Sequence, residues 1–395
     1  MAVRVLTVGN MYPPHHLGGY ELMWRSWVRH ARAAGHEVRV LTTDYRSAAP
    51  DPAIAEDADV HRELRWYWRD HEFPRLGLRE RLRVERHNLA TLERHVEDLA
   101  PDALCWWAMG GMSMSMIEWA RRRGLPAAAV VVDEWLLYGP KVDQWQSAAR
   151  RAGPLRGPLE RLTGVPSRLR FDSALRWLFA SRTLVEHARA NGWRLPGATV
   201  AHAGIDASLF APRPSREWRG RLLYLGRLDP RKGIEIAVRA LALLEDATLR
   251  VVGAGDDAYA ERLRALASEL RLKGRVSFDR VPRSQVPAAY AEADALVFPV
   301  LWEEPWGLVP LEAMASGVPV VATGTGGSGE YLAHEENCLL YSPPDDPGAL
   351  ARALARLAAE RELRERLRAG GLATAARHTE EAFNEAVLGA LAELA

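Results

Sequence analysis

The sequence predicts an α/β protein of two domains, each built on a mostly parallel sheet. Short apolar runs alternate with amphipathic helical patterns from end to end, which is typical of βαβ units. The alternation pauses once, near 207–220, where two prolines and mixed charge indicate a linker. A length of 395 residues suits two such domains. Open α/β sheets bind ligands at the carboxyl ends of their strands, so we expect a binding cleft between the domains.

Ten apolar runs predict the strands of the two sheets. Those of the first domain lie at 3–8, 37–42, 102–107, 127–132 and 176–181. Those of the second lie at 221–226, 247–253, 275–279, 294–300 and 318–323. Helical patterns fill the intervals, for example at 19–34 and 78–99, and the end of the chain is a helical tail rich in Arg, Ala and Leu.

Composition excludes several classes of protein. The net charge is +1, so nothing in the total charge favours nucleic acid as a partner. The two cysteines, Cys105 and Cys338, are far apart and lack metal-site spacing, so we expect both to be reduced and the protein to be cytoplasmic. The chain starts with a strand and a loop in place of a signal-peptide pattern. The apolar stretch 103–117 is too short, and too broken by Gly and Ser, for a membrane span.

An arginine-rich segment at 147–170 supports two interpretations. It carries six arginines against one glutamate, with Pro and Gly scattered through it, which predicts a long loop or short helices. The first interpretation is a solvated basic surface. The second is a surface for anionic acceptors or phospholipid headgroups, which would put the protein at the inner face of the membrane.

Two glycine patterns resemble a dinucleotide-binding fingerprint. They are "VVGAGDDA" (251–258) and "TGTGGSG" (323–329), and either would suggest a dehydrogenase with a nicotinamide or flavin cofactor. Neither opens the first βαβ unit of its domain. Asp256 and Asp257 also stand where a pyrophosphate would sit, and like charges repel. We therefore interpret these glycines as tight turns and close-packing positions, and keep the cofactor site as the alternative.

The first domain has its own glycine loop, "GNMYPPHHLGGYELMWRSW" (9–27). Gly18 and Gly19 open an amphipathic helix there, so backbone amides and the positive helix end could face a phosphate. A plain strand-to-helix turn is the alternative. We predict that Gly18 and Gly19 contact the donor phosphates.

Two cations follow the first strand of the second domain. Arg227 and Lys232 lie in "YLGRLDPRKGIE", just before Gly233 opens the next helix. At the carboxyl edge of a sheet, a planar guanidinium and a point-charge ammonium suit a diphosphate. Ordinary surface cations are the alternative.

The stretch "WEEPWGLVPLEAMASG" (302–317) places two acids around a helix start. Gly307 opens the helix, whose first amides belong to Gly307, Leu308 and Val309. A carboxylate in the phosphate's own place would be repelled, so Glu312 should reach past it to ribose hydroxyls and Glu304 to a sugar on the other side. This geometry predicts a nucleoside diphosphate that carries a polyhydroxylated group.

These residues resemble a known enzyme family, the GT-B retaining glycosyltransferases of family 4 (glycosyltransferase group 1). "EPWGLVPLE" resembles the family's E-x7-E element, in which Glu304, not Glu303, is eight residues before Glu312. "GRLDPRKG" is similar to its G-R-L-x-x-x-K-G, "VVGAGDDAYAERL" to its strand-to-helix turn, and "PPHHLGGYE" to its N-terminal glycine loop. The likeness covers nearly the whole chain and is strongest from 221 to 341.

The resemblance implies two Rossmann-like, doubly wound domains that face each other across a cleft. It implies an acceptor-side domain at 1–206, a donor-binding domain at 207–376, and a terminal helix at 377–395 that crosses back to the first domain. The donor would be a nucleotide-diphosphate sugar, with UDP- and GDP-sugars favoured, and no metal or cofactor would be needed. The acceptor would be a carbohydrate, a lipid-linked sugar or a small molecule.

The resemblance also assigns roles. Arg227 and Lys232 would bind the diphosphate, Glu312 the ribose, and Glu304 the donor sugar at the reaction centre. Gly19 would face the phosphates. We therefore expect Glu304, Arg227 and Lys232 to form the catalytic group of a retaining hexosyltransferase.

The first domain departs from the family pattern. Many members carry His-Asp in this part of the cleft, whereas "VVVDEWLLYG" offers Asp133 and Trp135 without a histidine. We predict that both lie on the acceptor side, against the alternative of an ordinary loop acid. Further tryptophans of this half either stack on sugars or fill the core: Trp66, Trp68, Trp106, Trp107 and Trp145.

Three other functions remain open to the sequence. A GT-B-like nucleotide-sugar epimerase would need acid and base groups at the sugar ring. A non-catalytic nucleotide-sugar-binding protein would have no need of the cations that stabilise a leaving group. A dehydrogenase would need one of the two glycine patterns to bind its cofactor. The oligomeric state is not determined by any of these patterns.

Overall fold

The computed structural model describes residues 2–48, 50–51, 53–69 and 72–395, and within them the chain forms two compact units. The first unit comprises the described residues up to His202 together with Glu381–Ala395, and the second comprises Ala203–Glu380. The units therefore divide after 202 and 380, each four residues from the boundaries predicted at 206 and 376.

The first unit contains a parallel sheet of seven strands among its described residues. The strands are β1 (Arg4–Val8), β2 (Glu37–Thr43), β3 (Val60–Leu64), β4 (Ala103–Trp106), β5 (Ala127–Val131), β6 (Arg176–Phe179) and β7 (Thr199–Val200), in the order β3-β2-β1-β4-β5-β6-β7. The five predicted strands are confirmed. The sequence analysis missed β3 and β7 because both lie at sheet edges, where a strand is only partly buried and lacks a continuous apolar run.

The helices of the first unit follow the predicted pattern. They are α1 (Gly19–Ala33), α2 (Leu78–Leu99), α3 (Ser115–Arg122), α4 (Trp135–Val142), α5 (Gln144–Arg151), α6 (Arg156–Thr163) and α7 (Arg182–Ala190). The ranges of α1 and α2 match the helical patterns at 19–34 and 78–99. The arginine-rich segment contains most of α5 and all of α6, so it forms short helices instead of one long loop.

The second unit repeats the architecture with a parallel sheet of six strands. Its strands are β8 (Arg221–Leu225), β9 (Thr248–Val252), β10 (Val276–Asp279), β11 (Ala295–Phe298), β12 (Val320–Ala322) and β13 (Leu339–Leu340), in the order β10-β9-β8-β11-β12-β13. Its helices are α8 (Ile234–Leu241), α9 (Asp257–Glu269), α10 (Val286–Glu292), α11 (Leu308–Ala315), α12 (Pro347–Ala359) and α13 (Arg361–Ala375). Only the two-residue β13 was not predicted.

The last helix, α14 (Glu380–Ala392), returns to the first unit, as predicted. Asn384 donates a hydrogen bond from Nδ2 to Ser26 Oγ of α1 at 3.0 Å, and the ring of Phe383 lies 6.3 Å from that of Trp107. Phe383, Val387 and Leu391 are buried. Apolar burial against the first unit therefore holds this helix.

Both sheets have the strand order of a doubly wound fold, and this order locates their ligand-binding edges. The order reverses between β1 and β4 in the first unit, and between β8 and β11 in the second. Loops that leave neighbouring strands in opposite directions open a crevice at this switch point, just beyond the carboxyl ends of the strands. In the second unit, these are the loops at 226–233 and 299–307.

Two further findings concern the cysteines and the apolar character of the helices. Cys105 and Cys338 are both buried and unbridged. In the described part of the chain, none of the helices combines the length and the apolar character needed to cross a membrane.

Candidate functional site

The loop after β8 is fixed tightly against the end of β11. Asp229 caps the short 3-10 helix Pro230–Lys232 by accepting the amide of Arg231 at 3.0 Å. Gly233 follows at φ +67°, and a Cβ there would lie 1.8 Å from the carbonyl oxygen of Pro299. Only glycine satisfies both conditions. The two switch-point loops are thus held backbone to backbone.

This contact brings Lys232 and Glu304 together. Lys232 Nζ lies 2.5 Å from Glu304 Oε2, with 21% and 12% of the two side chains exposed. Trp302 Nε1 donates to the same oxygen at 2.9 Å, and the guanidinium of Arg231 lies 4.6 Å from the centre of the Trp302 ring. Lys232 and Trp302 both contact Oε2 and fix the carboxylate, which leaves Oε1 without a hydrogen-bond partner among the described residues.

The glycines of "TGTGGSG" support the acid-bearing loop from behind. Gly326 has φ +64°, and a Cβ there would lie 2.5 Å from the amide nitrogen of Glu304. Gly327 donates its amide to the Glu304 carbonyl at 2.7 Å. These glycines are close-packing positions, as the sequence analysis interpreted them.

The glycines of "VVGAGDDA" support the cation-bearing loop in the same way. A Cβ on Gly253 would lie 1.8 Å from the Gly226 carbonyl oxygen, and one on Gly255 would lie 2.2 Å from that of Leu228. Asp256 accepts the amide of Ala258 at 3.0 Å as the N-cap of α9. The start of this helix therefore already holds a carboxylate of the protein, and the glycines are packing positions, as the sequence analysis interpreted them.

Arg227 is exposed in the loop between these glycines and Lys232. Its backbone carbonyl accepts the Tyr224 hydroxyl at 2.8 Å, which fixes the main chain at this point. Within the described residues, no hydrogen bond or ion pair of its guanidinium is recorded. Asp229 is the nearby carboxylate that feels the charge of Arg227, but it forms its hydrogen bonds with Arg231. An exposed guanidinium at a switch point suits an anionic ligand.

The start of α11 offers further donors. Gly307 is the N-cap, at φ 86° and ψ 92°, and its carbonyl accepts the Tyr331 hydroxyl at 2.5 Å. The amides of Gly307, Leu308 and Val309 have no recorded acceptor among the described residues. Free amides at the positive end of a helix form an anion site.

Glu312 lies one turn into α11 and is already engaged. Its side chain is 2% exposed; Arg283 Nη2 contacts Oε1 at 2.5 Å, and the Tyr290 hydroxyl donates to Oε2 at 2.9 Å. Burial, together with the Glu312 carboxylate, raises the pKa of Tyr290 well above its ordinary value, so the phenol remains a donor. Each Glu312 oxygen can accept a second hydrogen bond, so the predicted ribose contact requires access to this buried side chain and leaves Arg283 and Tyr290 as partners.

In the first unit, the glycine loop is arranged differently from the prediction. Gly18 is the N-cap of α1, and its amide donates to Glu21 Oε2 at 2.9 Å. The Glu21 side chain is buried. A carboxylate of the protein thus occupies the helix end at which Gly18 and Gly19 were predicted to face a phosphate.

Asp133 and Trp135 have different environments. Asp133 accepts the Trp135 amide at 3.0 Å and the Tyr138 hydroxyl at 2.8 Å, and burial raises its pKa to about 6. The Trp135 side chain is fully buried and packs against Trp177 at 6.2 Å between ring centres. The acceptor-side prediction for Trp135 is therefore wrong, because the indole fills the core.

The other tryptophans of this half are mainly core residues as well. Trp66, Trp106, Trp107 and Trp145 are buried, and only Trp68 is partly exposed. The inner strand β5 has three alanines, whose side chains are small. The large indole rings contribute apolar area to the core of this unit.

Sequence reasoning missed four residues that shape these sites. Trp302 directly precedes the two glutamates, and this position in the sequence could have suggested that it contacts one of them. Arg283 and Tyr290 meet Glu312 only through tertiary folding. His187 Nδ1 lies 2.9 Å from Glu134 Oε1, so a histidine does reach the Asp133 loop, but from α7.

The second unit resembles a known family of enzymes. A family model described as glycosyl transferases group 1 matches residues 208–373, which span most of the second unit. The chain is 38% identical over 160 residues to the GDP-mannose-dependent alpha-(1-6)-phosphatidylinositol monomannoside mannosyltransferase of Mycolicibacterium smegmatis, a match that covers 35% of this chain and 41% of that protein. It is 34% identical over 205 residues to the D-inositol 3-phosphate glycosyltransferase of Corynebacterium glutamicum, covering 47% and 48%. The chain thus spans somewhat less than half the length of each of these two relatives.

Solved structures extend the likeness to both units. The structure of Anabaena Alr3699/HepE in complex with UDP-glucose matches with a TM-score of 0.75 and 18% identity, covering 99% of this chain and 100% of that one. A likeness at this identity concerns the fold. The GT-B fold predicted from the sequence is confirmed.

Proposed function

We propose that this chain is a member of the glycosyl transferases group 1 family, whose model matches residues 208–373, and that it transfers a hexose from a nucleotide-diphosphate sugar to an acceptor hydroxyl with retention of configuration. The observation that carries the proposal is the arrangement at the second switch point. Lys232 and Glu304 form a close pair there, beside the free amides of α11 and the exposed Arg227.

The cations and amides are assigned to the diphosphate. Departure of the diphosphate builds negative charge on its oxygens, and fixed donors aimed at that charge usually contribute most to catalysis. Arg227 and Lys232 supply two positive charges, and α11 adds the partial positive charge of its first turn. The proposal assigns stabilisation of the leaving group to these protein groups and uses no metal or cofactor. Transfer should therefore persist when EDTA removes divalent metal ions.

Glu304 is assigned to the donor sugar. The bond between the anomeric carbon and the diphosphate oxygen breaks, and the acceptor oxygen bonds to the same face of that carbon. The acceptor proton passes to the departing phosphate oxygen. Glu304 Oε1 orients a sugar hydroxyl, while Lys232 and Trp302 hold Oε2.

The donor is proposed to be a UDP- or GDP-sugar. Support comes from the relative named as GDP-mannose-dependent and from the structural neighbour in complex with UDP-glucose. A panel of UDP-, GDP-, ADP- and dTDP-sugars, read as shifts in the melting temperature, identifies the donor because binding to the native state stabilises it.

The acceptor is proposed to be presented at an anionic membrane surface on the cytoplasmic side, which favours a lipid-linked acceptor over a free carbohydrate or small molecule. Leu155 and Leu162, at 67% and 83% exposure, project from the arginine-rich segment beside the exposed Arg151 and Arg161. Exposed leucines among arginines suit an anionic lipid interface.

Vesicle sedimentation tests this surface. We expect binding to vesicles with anionic lipid that Leu162→Asp weakens, whereas Leu243→Asp, at a 61% exposed leucine of the second unit, does not. Equal binding by both variants, or no binding to anionic vesicles, would contradict the membrane proposal and leave the transfer proposal intact.

Transfer itself is tested with alanine variants of Arg227, Lys232 and Glu304. We expect each to lower the transfer rate by about 10²–10³-fold, which is typical of losing one preorganised charge-stabilising group. Lys273→Ala is the matched control, since Lys273 is an exposed lysine of the same unit. Wild-type rates in all three variants would end the assignment.

A further inference from the structure

A second cluster of chemistry-bearing side chains lies in the first unit, at the outer strand of its sheet. His61 and Glu63 are two residues apart on β3, so both project from the same face. His95 reaches them from α2. One ligand atom from each of the three residues lies within 4.8 Å of those of the other two.

The distances suit a metal ion. His61 Nδ1 lies 3.3 Å from Glu63 Oε1, and His95 Nε2 lies 3.3 Å from Glu63 Oε2. Ligands of a tetrahedral zinc, at about 2.0–2.1 Å from the ion, lie about 3.3–3.4 Å from each other. The two histidines lie at this distance from different oxygens of Glu63, so one ion would use both carboxylate oxygens or draw one of them inward by a rotation of the carboxylate. Two imidazoles and one carboxylate are ligands that Zn²⁺ prefers. We infer that His61, Glu63 and His95 bind Zn²⁺, with water in the fourth position.

Neighbouring groups orient the ligands. His61 Nε2 lies 2.7 Å from Asp59 Oδ1, which fixes the ring and directs Nδ1 at the cluster. His87 Nε2 lies 2.7 Å from the Glu63 carbonyl oxygen and holds β3 against α2. A histidine that ligates zinc through one nitrogen commonly donates the other to a carboxylate.

The cluster has both acidic and basic neighbours, and solvent reaches two of its three side chains. His95 is buried, but the side chains of His61 and Glu63 are 31% and 36% exposed, so an ion can enter from solvent. Arg94 now pairs with Glu63, and its side chain is 59% exposed. A long exposed arginine can turn to water, so a bound ion would replace it at Glu63.

The ion would join the edge strand to α2. It has no part in the proposed donor chemistry, whose groups all belong to the second unit. Bound only by the folded chain, it would raise the melting temperature. Among the described strands, β3 pairs with β2 alone and has little apolar burial, so a link to α2 would stabilise it.

Equilibrium dialysis of untagged, EDTA-treated protein against Zn²⁺ tests the site. We expect one ion per chain. His61→Ala and His95→Ala should each lose more affinity than the about 10–100-fold that removal of an outer partner costs, and Asp59→Asn should fall within that range. His30→Ala is the matched control, since His30 lies outside this cluster and pairs with Glu385 at 2.8 Å.

Arg94→Gln separates a zinc site from a network of ion pairs. The substitution removes the cation that competes with the metal for Glu63, so the affinity for Zn²⁺ should rise. Co²⁺ bound in place of Zn²⁺ should show the visible absorption of tetrahedral coordination. Because Arg94 is exposed, this variant stays informative if the histidine variants fold poorly. Absence of a one-to-one complex, or undiminished affinity in both histidine variants, would overturn the proposal.

Discussion

The switch points of the two sheets share a topology but not a chemistry. In the second unit, the loops after β8 and β11 present Arg227, Lys232 and Glu304. In the first unit, aromatic side chains fill the corresponding loops after β1 and β4. A Cβ on Gly9 would lie 2.6 Å from the Trp24 ring, and one on Gly110 would lie 2.1 Å from the Tyr138 hydroxyl.

Two loop acids, one in each unit, have opposite pKa shifts. Burial raises the pKa of Asp133 in the first unit to about 6. In the second unit, hydrogen bonding from Arg231 lowers the pKa of Asp229. Topology therefore fixes where a ligand can bind, whereas the side chains decide which unit binds a highly charged ligand.

The largest effect is expected at Gly233. Gly233→Ala would force a Cβ against the Pro299 carbonyl oxygen at a positive φ, which should destabilise the second unit by more than about 3 kcal/mol and abolish donor binding. Urea unfolding and a nucleotide titration measure the two effects.

Gly35→Ala is the matched control for that prediction. Gly35 also has a positive φ, +87°, but a Cβ there would meet nothing within 4 Å. It should cost only about 1–2 kcal/mol and leave donor binding unchanged. Equal costs at both glycines would show that the backbone contact between the two loops is unimportant.

Glu312→Gln sharpens the comparison at the ribose end. A carboxylate that accepts ribose hydroxyls contributes about 1.5–3 kcal/mol as a charged acceptor. We therefore expect the variant to bind the nucleoside diphosphate about 10–100-fold more weakly, by calorimetry. Unchanged affinity would mean that Glu312 only anchors Arg283 and Tyr290.

Residues close together in sequence were the most predictable. The spacing from Glu304 to Glu312, the pair Arg227 and Lys232, and all but three strands followed from local pattern. The pairing of Lys232 with Glu304 was not predictable, because it joins residues 72 apart across two loops.

Environment was the part that the sequence could not supply. The sequence identifies Trp135 as a tryptophan but does not show whether its ring stacks on a sugar or fills the core. The packing around the ring determines which of the two applies. Similarly, Gly18 suggests a phosphate loop until Glu21 is seen to accept its amide.

Glu85 tests the electrostatic side of the comparison. Burial, with Asp143 nearby, raises its pKa to about 8 from an ordinary 4.5. The folded state then holds a proton that the unfolded state loses, so stability falls as pH rises from about 4.5 to 8.

Glu85→Gln should remove this loss and stabilise the protein at pH 8 but not at pH 5. Since one pKa unit is worth about 1.4 kcal/mol, the gain should exceed that value. A pH-independent effect in thermal unfolding would contradict the raised pKa.

The smallest effect is expected at Glu21. Glu21→Ala removes the acceptor for the Gly18 amide and should cost about 1 kcal/mol of stability, as loss of a helix cap does. Nucleotide affinity should not change. A gain in affinity would mean that the freed amide binds phosphate, and that both switch points are anion sites.

The most direct test of the central claim is calorimetric titration with UDP and GDP, with uridine and guanosine as phosphate-free references. We predict that wild type and Lys273→Ala bind one of the diphosphates equally well. The double variant Arg227→Ala/Lys232→Ala should bind it at least about 100-fold more weakly, since each charge-assisted contact is worth about 1.5–3 kcal/mol. Undiminished diphosphate affinity in the folded double variant would contradict the claim that the second switch point holds the donor diphosphate.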